Sequence, residues 1–150
     1  MKFLITILIL NFGLLSSLQI LKKHQWENRI LLVLSEKGEA EKQSKLFTKQ
    51  IDIIKNSIEG FVKRKLIVYE IFPDKFKLID FEKKTDPSWI KSSSLFDTYN
   101  KDNKPFKVIL IGLDGGIKEE KTEFFSSQEL FDIIDSMSMR KAEIRRKNNP

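Results

Sequence analysis

Phe106-Lys107-Val108-Ile109-Leu110-Ile111-Gly112-Leu113-Asp114-Gly115-Gly116-Ile117-Lys118-Glu119-Glu120-Lys121 is the stretch whose reading decides the fold. Phe106–Leu113 is a nearly continuous apolar run opened by Pro105, the pattern of a strand buried on both faces. Asp114-Gly115 is a hairpin signal, because a type I′ turn needs positive φ at both central residues. Ile117–Phe124 is heavily charged and alternates poorly, which suits the edge of a sheet. Ser126 and Glu129 then have the S-x-x-E spacing of a capping box. Leu130, Ile133, Ile134 and Met137 follow at i, i+3, i+4 and i+7, the stripe of an amphipathic helix.

Two strand–helix units precede this ending. Arg29–Leu34 (RILLVL) is a short apolar run of the doubly buried kind. Between Ala40 and Glu59, Leu46, Phe47, Ile51, Ile54 and Ile58 recur at helical spacing, and Gly60 suits the C-terminus of that helix. Leu66–Phe72 (LIVYEIF) is rich in β-branched and aromatic residues and stops at Pro73, so it reads as the second buried strand. Asp74–Thr85 is polar, with a local Phe76/Leu78/Ile79/Phe81 cluster. Asp86-Pro87 has the form of a helix start, with Asp as N-cap and Pro at the first helical position, and predicts a helix to about Tyr99 that buries Trp89, Phe96 and Tyr99. The order is β-α-β-α-β-β-α. Its two crossovers predict parallel, right-handed pairings and its hairpin an antiparallel one. The fold class is therefore α/β: a mixed central sheet between helices, the three-layer α/β/α arrangement of a thioredoxin-like domain.

The chain has 150 residues and no Cys, with 27 Lys+Arg against 21 Asp+Glu and a formal net charge of +6. One domain plus tails is the expected organisation. Met1-Lys2 supplies a positive n-region and Phe3–Leu15 an apolar h-region, with Ser16 and Ser17 as the small residues near a cleavage site. Residues 1–20 thus read as a signal peptide, with an uncleaved N-terminal anchor over residues 3–20 as the alternative. Export to the periplasm or exterior is the expectation. Residues 21–140 form the domain, and residues 141–150 a basic tail expected to fray.

The residue inventory excludes the usual chemistry of such a fold. That chemistry uses a low-pKa thiolate at the start of the first helix; here the place is taken by Ser35-Glu36-Lys37-Gly38-Glu39. Dithiol exchange and thiol peroxidase activity are impossible without sulfur there. Pro105 falls where thioredoxins carry a cis-proline. With one His and no Cys, no transition-metal site is expected, and His24 reads as solvent-exposed. A Ser–His triad fails on inventory, and Gly112–Gly116 lacks the spaced glycines and following helix of a phosphate loop. No catalytic residue, cofactor or metal is assigned. The tail Met139–Lys147 is the best binding candidate, its arginines suited to phosphate or sulfate. No aromatic residues are interleaved with it, so a base-stacking nucleic-acid site is not expected.

Four segments carry a resemblance: Trp26–Val33 (WENRILLV), Lys63–Glu70 (KRKLIVYE), Val108–Lys118 (VILIGLDGGIK) and Leu130–Arg140 (LFDIIDSMSMR). Together they resemble a bacterial secreted domain of unknown function that is also found in animal extracellular proteins of the sushi-repeat type. The resemblance spans roughly Trp26 to Arg146 and implies a thioredoxin-like fold, an N-terminal signal and no established activity. Trp26, Arg29, Arg64, Asp114, Lys118 and Arg140 match its recurring positions. The structural readings are strand-end packing for Trp26, salt bridges for the arginines and turn geometry for Asp114. The usual pattern has Pro where Ser138 stands here. With Arg145 and Arg146 of the tail, these residues are the candidate contact positions. The expected function is that of an exported, non-enzymatic module binding an unknown protein or an anionic envelope component. The alternative is a cysteine-independent, hydrolytic enzyme using the groove beside the first helix and Pro105.

Overall fold

The computed structural model describes residues 16–37, 44–83 and 86–149. The apolar h-region and residues 38–43, which include part of the expected thiol position, lie outside the described residues. Three strands form the middle of the sheet: β1 (Arg29–Ser35), β2 (Leu66–Ile71) and β5 (Phe106–Ile111). Every residue in all three is buried, as their largely apolar runs predict, and Arg29, Glu70 and Lys107 are buried with them. β3 (Lys75–Ile79) and β4 (Ile90–Lys91) extend one side and β6 (Ile117–Lys121) the other, in the order β4-β3-β2-β1-β5-β6. The charged β6 is an edge, as its composition predicts.

Side chains alternate between two faces. Leu31, Val33, Val68, Val108 and Leu110 pack against α2 (Lys45–Lys55), α3 (Ile58–Lys63) and α5 (Ser127–Ser136) through Phe47, Ile54, Phe61, Leu130 and Ile134. Ile30, Leu32, Ile67, Tyr69 and Ile109 pack against α1 (Ser17–Lys22) and α4 (Ser94–Tyr99) through Ile20, Leu21 and Leu95. The molecule is thus the expected three-layer, mixed-sheet, thioredoxin-like fold, with more elements than the sequence reading counted.

The differences have local causes. The Phe76/Leu78 cluster is β3, antiparallel to β2, with Tyr69 opposite Leu78 and Ile71 opposite Phe76. Asp86-Pro87 starts no helix. Ile90 pairs with Phe76 instead, and Trp89 lies 5.3 Å from Phe72, so the chain stays extended and α4 begins only at Ser94. Six residues of helix reach ~9 Å, less than half the ~20 Å length of the strands. The connection cannot carry the chain back along the sheet, and β5 therefore enters antiparallel to β1 rather than parallel, while β1 and β2 pair in parallel as expected.

The long helix predicted to end at Glu59 is two helices, broken at Asn56-Ser57. Leu46 and Ile58 lie on its exposed side. Gly60 is inside α3, not at its end; the left-handed residue that stops the helix is Lys65, at φ 51°. The 113–115 turn is also longer than a two-residue type I′ loop. The Gly115 amide donates to Gly112 O at 3.0 Å, the Gly112 amide to Gly116 O at 2.9 Å, and positive φ falls on Gly115 alone, the pattern of a turn completed by a glycine bulge. The expected frayed tail is helical: α6 spans Ser138–Asn148.

Candidate functional site

β1 begins where β2 begins, because the two strands are parallel and Arg29 is opposite Leu66. β5 ends at the same place, with Ile111 opposite Ile30. This end of the sheet is therefore opposite to Ser35 and Pro105. It collects six of the eight positions singled out in the sequence.

Arg29 is fully buried there. Its amide donates to Lys65 O at 2.8 Å and its NH1 to Arg64 O at 2.9 Å. Both carbonyls face it because the chain turns at Lys65. Its NH1 and NH2 also reach the Glu143 carboxylate, at 3.4 and 3.3 Å. Glu143 accepts from Arg140 NH1 at 3.1 Å, and Arg140 Nε donates to Asp135 at 3.1 Å. Asp135 accepts in turn from Arg64 Nε at 3.1 Å and Arg64 NH2 at 2.5 Å. Arg64 is pinned further by Gly60 O at 3.1 Å and by the Phe131 ring, 4.1 Å below its guanidinium carbon. One continuous chain of three arginines and two carboxylates thus ties β1, the α3–β2 turn, α5 and α6 together. Burial alone would raise the Asp135 carboxyl, but the hydrogen bonds from Arg64 and Arg140 hold it below the usual carboxylate range.

Asp114 and Lys118 form the opposite wall. The Asp114 carboxylate accepts from the Gly116 amide at 3.0 Å and from Lys118 Nζ at 2.6 Å. These bonds, that from Lys118 foremost, lower its pKa. Gly112 leaves the space that the Lys118 side chain crosses, since a Cβ there would collide with Lys118 Cε. A cavity of about 260 Å³ lies between this turn and the start of α6, lined by Arg29, Gly112, Asp114, Lys118, Ser138 and Met139 among others. A second cavity, of about 300 Å³, lies on the other side of the turn, between Leu21, Ile30, Tyr99 and Ile111. Arg29 Nε is the only buried side-chain nitrogen or oxygen among the described residues without a hydrogen-bond partner. Leaving such a donor unmet costs about 1–3 kcal/mol.

Trp26 behaves differently from its expected strand-end packing. Its amide donates to Leu113 O at 2.7 Å and its φ is 70°, so it belongs to the turn that seats the 113–115 hairpin, while the residue is 61% exposed. Arg145 and Arg146 stay outside the ion chain on the exposed side of α6. His24 is buried, not exposed: its Nε2 lies 2.8 Å from the Tyr69 hydroxyl. Burial, then the nearby Lys23 and Lys83, lower its pKa, and burial raises that of Tyr69. At the far end of the sheet Pro105 is trans, and its carbonyl accepts from the Glu36 amide at 3.0 Å.

Sequence reading found the arginines but missed both carboxylates that join them. Glu143 had a usable signal, as the one acid in a basic helix and three residues from Arg140, a spacing that pairs on a helix face. The orphaned Nε had none, since it depends on what four separate elements place around it.

A search of solved structures finds the reduced 2-Cys peroxiredoxin of Plasmodium vivax, at 14% identity and TM-score 0.54, covering 81% of this chain and 84% of that one. At that identity the likeness is one of fold. No curated protein sequence matches the chain. The family model for a domain of unknown function, DUF4174, matches residues 20–143 and so includes the whole ion chain. Arg29, Arg64, Asp135, Arg140 and Glu143 stand inside that match, and the chain belongs to the DUF4174 family.

Proposed function

We propose that the chain is an exported, non-enzymatic thioredoxin-like module that binds an anionic envelope component. The observation that carries this reading is the distribution of charge. The fold's reactive position has no thiol to offer, because the sequence has no Cys. At the opposite end, the ion chain holds α6 on the domain and leaves Lys141, Arg145, Arg146 and Lys147 exposed. A cationic helix held on a rigid scaffold attracts polyanionic surfaces with a salt-dependent affinity. The apolar segment Phe3–Leu15 supports export, which would bring the domain to such a surface.

Sedimentation of the full-length chain with phosphatidylglycerol vesicles, against phosphatidylcholine vesicles, tests the reading. Binding to the anionic vesicles only, falling with added salt and weakened in an Arg145→Gln/Arg146→Gln variant, is the expected result. Equal sedimentation with both vesicle types, or no effect of the double substitution, overturns it.

A further inference from the structure

We infer that the cavity between α1 and the 113–115 turn binds a medium-chain fatty carboxylate, with its tail on the apolar floor and its head group at Lys22. This goes beyond the reading above: the site lies across the turn from α6 and uses none of its cations.

The cavity holds about 300 Å³, at the lower end of the ~300–1,000 Å³ of ligand pockets. Leu21 of α1, Ile30 of β1 and Ile111 of β5 are buried and supply its apolar floor. Leu18, Leu21, Lys22 and Gln25 line it at i, i+3, i+4 and i+7, so one face of α1 and of the turn after it forms a wall. That wall is fixed in place. Thr98 Oγ1 of α4 donates to Ser17 Oγ at 2.7 Å, and Ile20 and Leu21 sit in the core. Gln25 Nε2 donates to Asp114 O at 2.9 Å, so the same face looks onto the hairpin turn. Leu18 is 71% exposed, a large apolar side chain at the margin of an apolar floor.

The charges select the head group. Lys22 is the one cation of the lining, and its ammonium has no ion-pair partner among the described residues. Asp114 is the one acid, and its carboxylate is already held by Lys118 Nζ at 2.6 Å and the Gly116 amide at 3.0 Å. One uncompensated positive charge thus stands beside an apolar floor, the complement of a single anion on a hydrocarbon tail. Asn28 and Tyr99, half-buried in the same lining, make no side-chain hydrogen bond among the described residues. An amide and a hydroxyl are both donors that a carboxylate can use. No arginine lines the cavity, so the bidentate fork that favours a phosphate head group is missing. A methylene is about as large as a water molecule, ~30 Å³, so about 300 Å³ takes roughly ten of them.

Four probes are titrated separately into the 15N- and methyl-13C-labelled full-length chain, at mildly alkaline pH, constant ionic strength and below each micelle concentration. They are sodium laurate, dodecyltrimethylammonium, sodium propionate and lauroyl lysophosphatidylglycerol. The expected result is a saturable laurate shift of the Leu21, Ile30 and Ile111 methyls and of the Gly115 amide. The cation with the same tail should bind at least tenfold more weakly, propionate should leave these signals unmoved, and the lysolipid should bind no more tightly than laurate. Lys22→Gln should weaken laurate binding about tenfold, the effect of one charge-assisted contact. Leu18→Glu should abolish it, by placing an anion on the apolar wall. Both positions are exposed, so an unchanged urea midpoint is expected and separates loss of the site from loss of the fold. Laurate shifts that do not saturate, or that fall only on residues 1–15, mean an adventitious additive only and overturn the inference. So do equal binding of the cation, tighter binding of the lysolipid, or an affinity that either substitution leaves unchanged. Laurate binding without any preference for anionic vesicles would sink the proposed function and leave this site standing; vesicle binding with silent cavity methyls would do the opposite.

Discussion

Removing Glu143 leaves Arg29 a buried guanidinium without its counter-ion, since Arg29 is 1% exposed at its side chain and no other carboxylate among the described residues pairs with it. Breaking one side of a buried pair costs about 3–5 kcal/mol. Glu143→Ala should lower the unfolding free energy by that amount in urea denaturation, whereas Glu123→Ala, at an exposed position, should change it by less than about 0.5 kcal/mol. Gly60→Ala is a second residue-scale test. In a free helix the change would add about 1 kcal/mol of stability. Here the new Cβ would fall 2.5 Å from the Phe131 ring, which Phe61 and Arg64 hold in place, so a loss of about 1–3 kcal/mol is expected. Neither effect was legible in the sequence. Glycine before a charged turn looks like a helix stop, and a lone Glu among cations looks like solvated surface; the packing partner decides both.

The elements show where local signals held and where they lost to pairing. Ser126 caps α5 as its spacing predicts, with its side chain accepting from the Glu129 amide at 3.2 Å. The reciprocal half of the box is not made, because the Glu129 carboxylate pairs with Lys121 of β6. Asp86-Pro87 carried an equally good local signal and lost, because Ile90 found a strand partner and Trp89 a ring to pack on. Ser138 sits at the first position of α6, and Met137 before it has ψ 141°, the extended conformation that precedes proline. Ser138→Pro should therefore stabilise the chain by about 0.4–1 kcal/mol, read as a higher urea midpoint at unchanged slope. At the N-terminus, Ser16 caps α1, and Ile20 and Leu21 are buried against the sheet. Processing that spares this helix would start the mature chain at or before Ser16, which N-terminal sequencing of the protein recovered from cells would find; a start at Ile20 would remove the cap.

A buried histidine and carboxylates held in ion pairs, Asp135 among them, make the stability depend on acid. His24 is held neutral by burial beside Tyr69, with its pKa below the ordinary 6.5. The unfolded chain therefore takes up a proton first as pH falls through 6.5, and stability drops from there until the folded pKa is reached. Asp135, with its pKa below the ordinary 3.8, contributes stability above that value and loses it as pH falls further. Urea midpoints measured from pH 8 to pH 3 should thus decline in two limbs. His24→Gln should flatten the upper limb and leave the lower one, which Asp135→Asn should reduce but not abolish, because Asp114 is also held below its ordinary value. Three doubly buried strands, a glycine-bearing hairpin, the Ser126 cap of α5 and the absence of sulfur were determined by the sequence itself, because apolar period, turn chemistry and residue inventory act over a few neighbours. Tertiary structure alone decided that Arg29, Arg64, Asp135, Arg140 and Glu143 meet in one ion chain, and that Arg29 Nε is buried without a hydrogen-bond partner. Those contacts join residues as far apart as positions 29 and 143. They exist only once a parallel β1–β2 pair and a short α4 have brought four elements to the same end of the sheet.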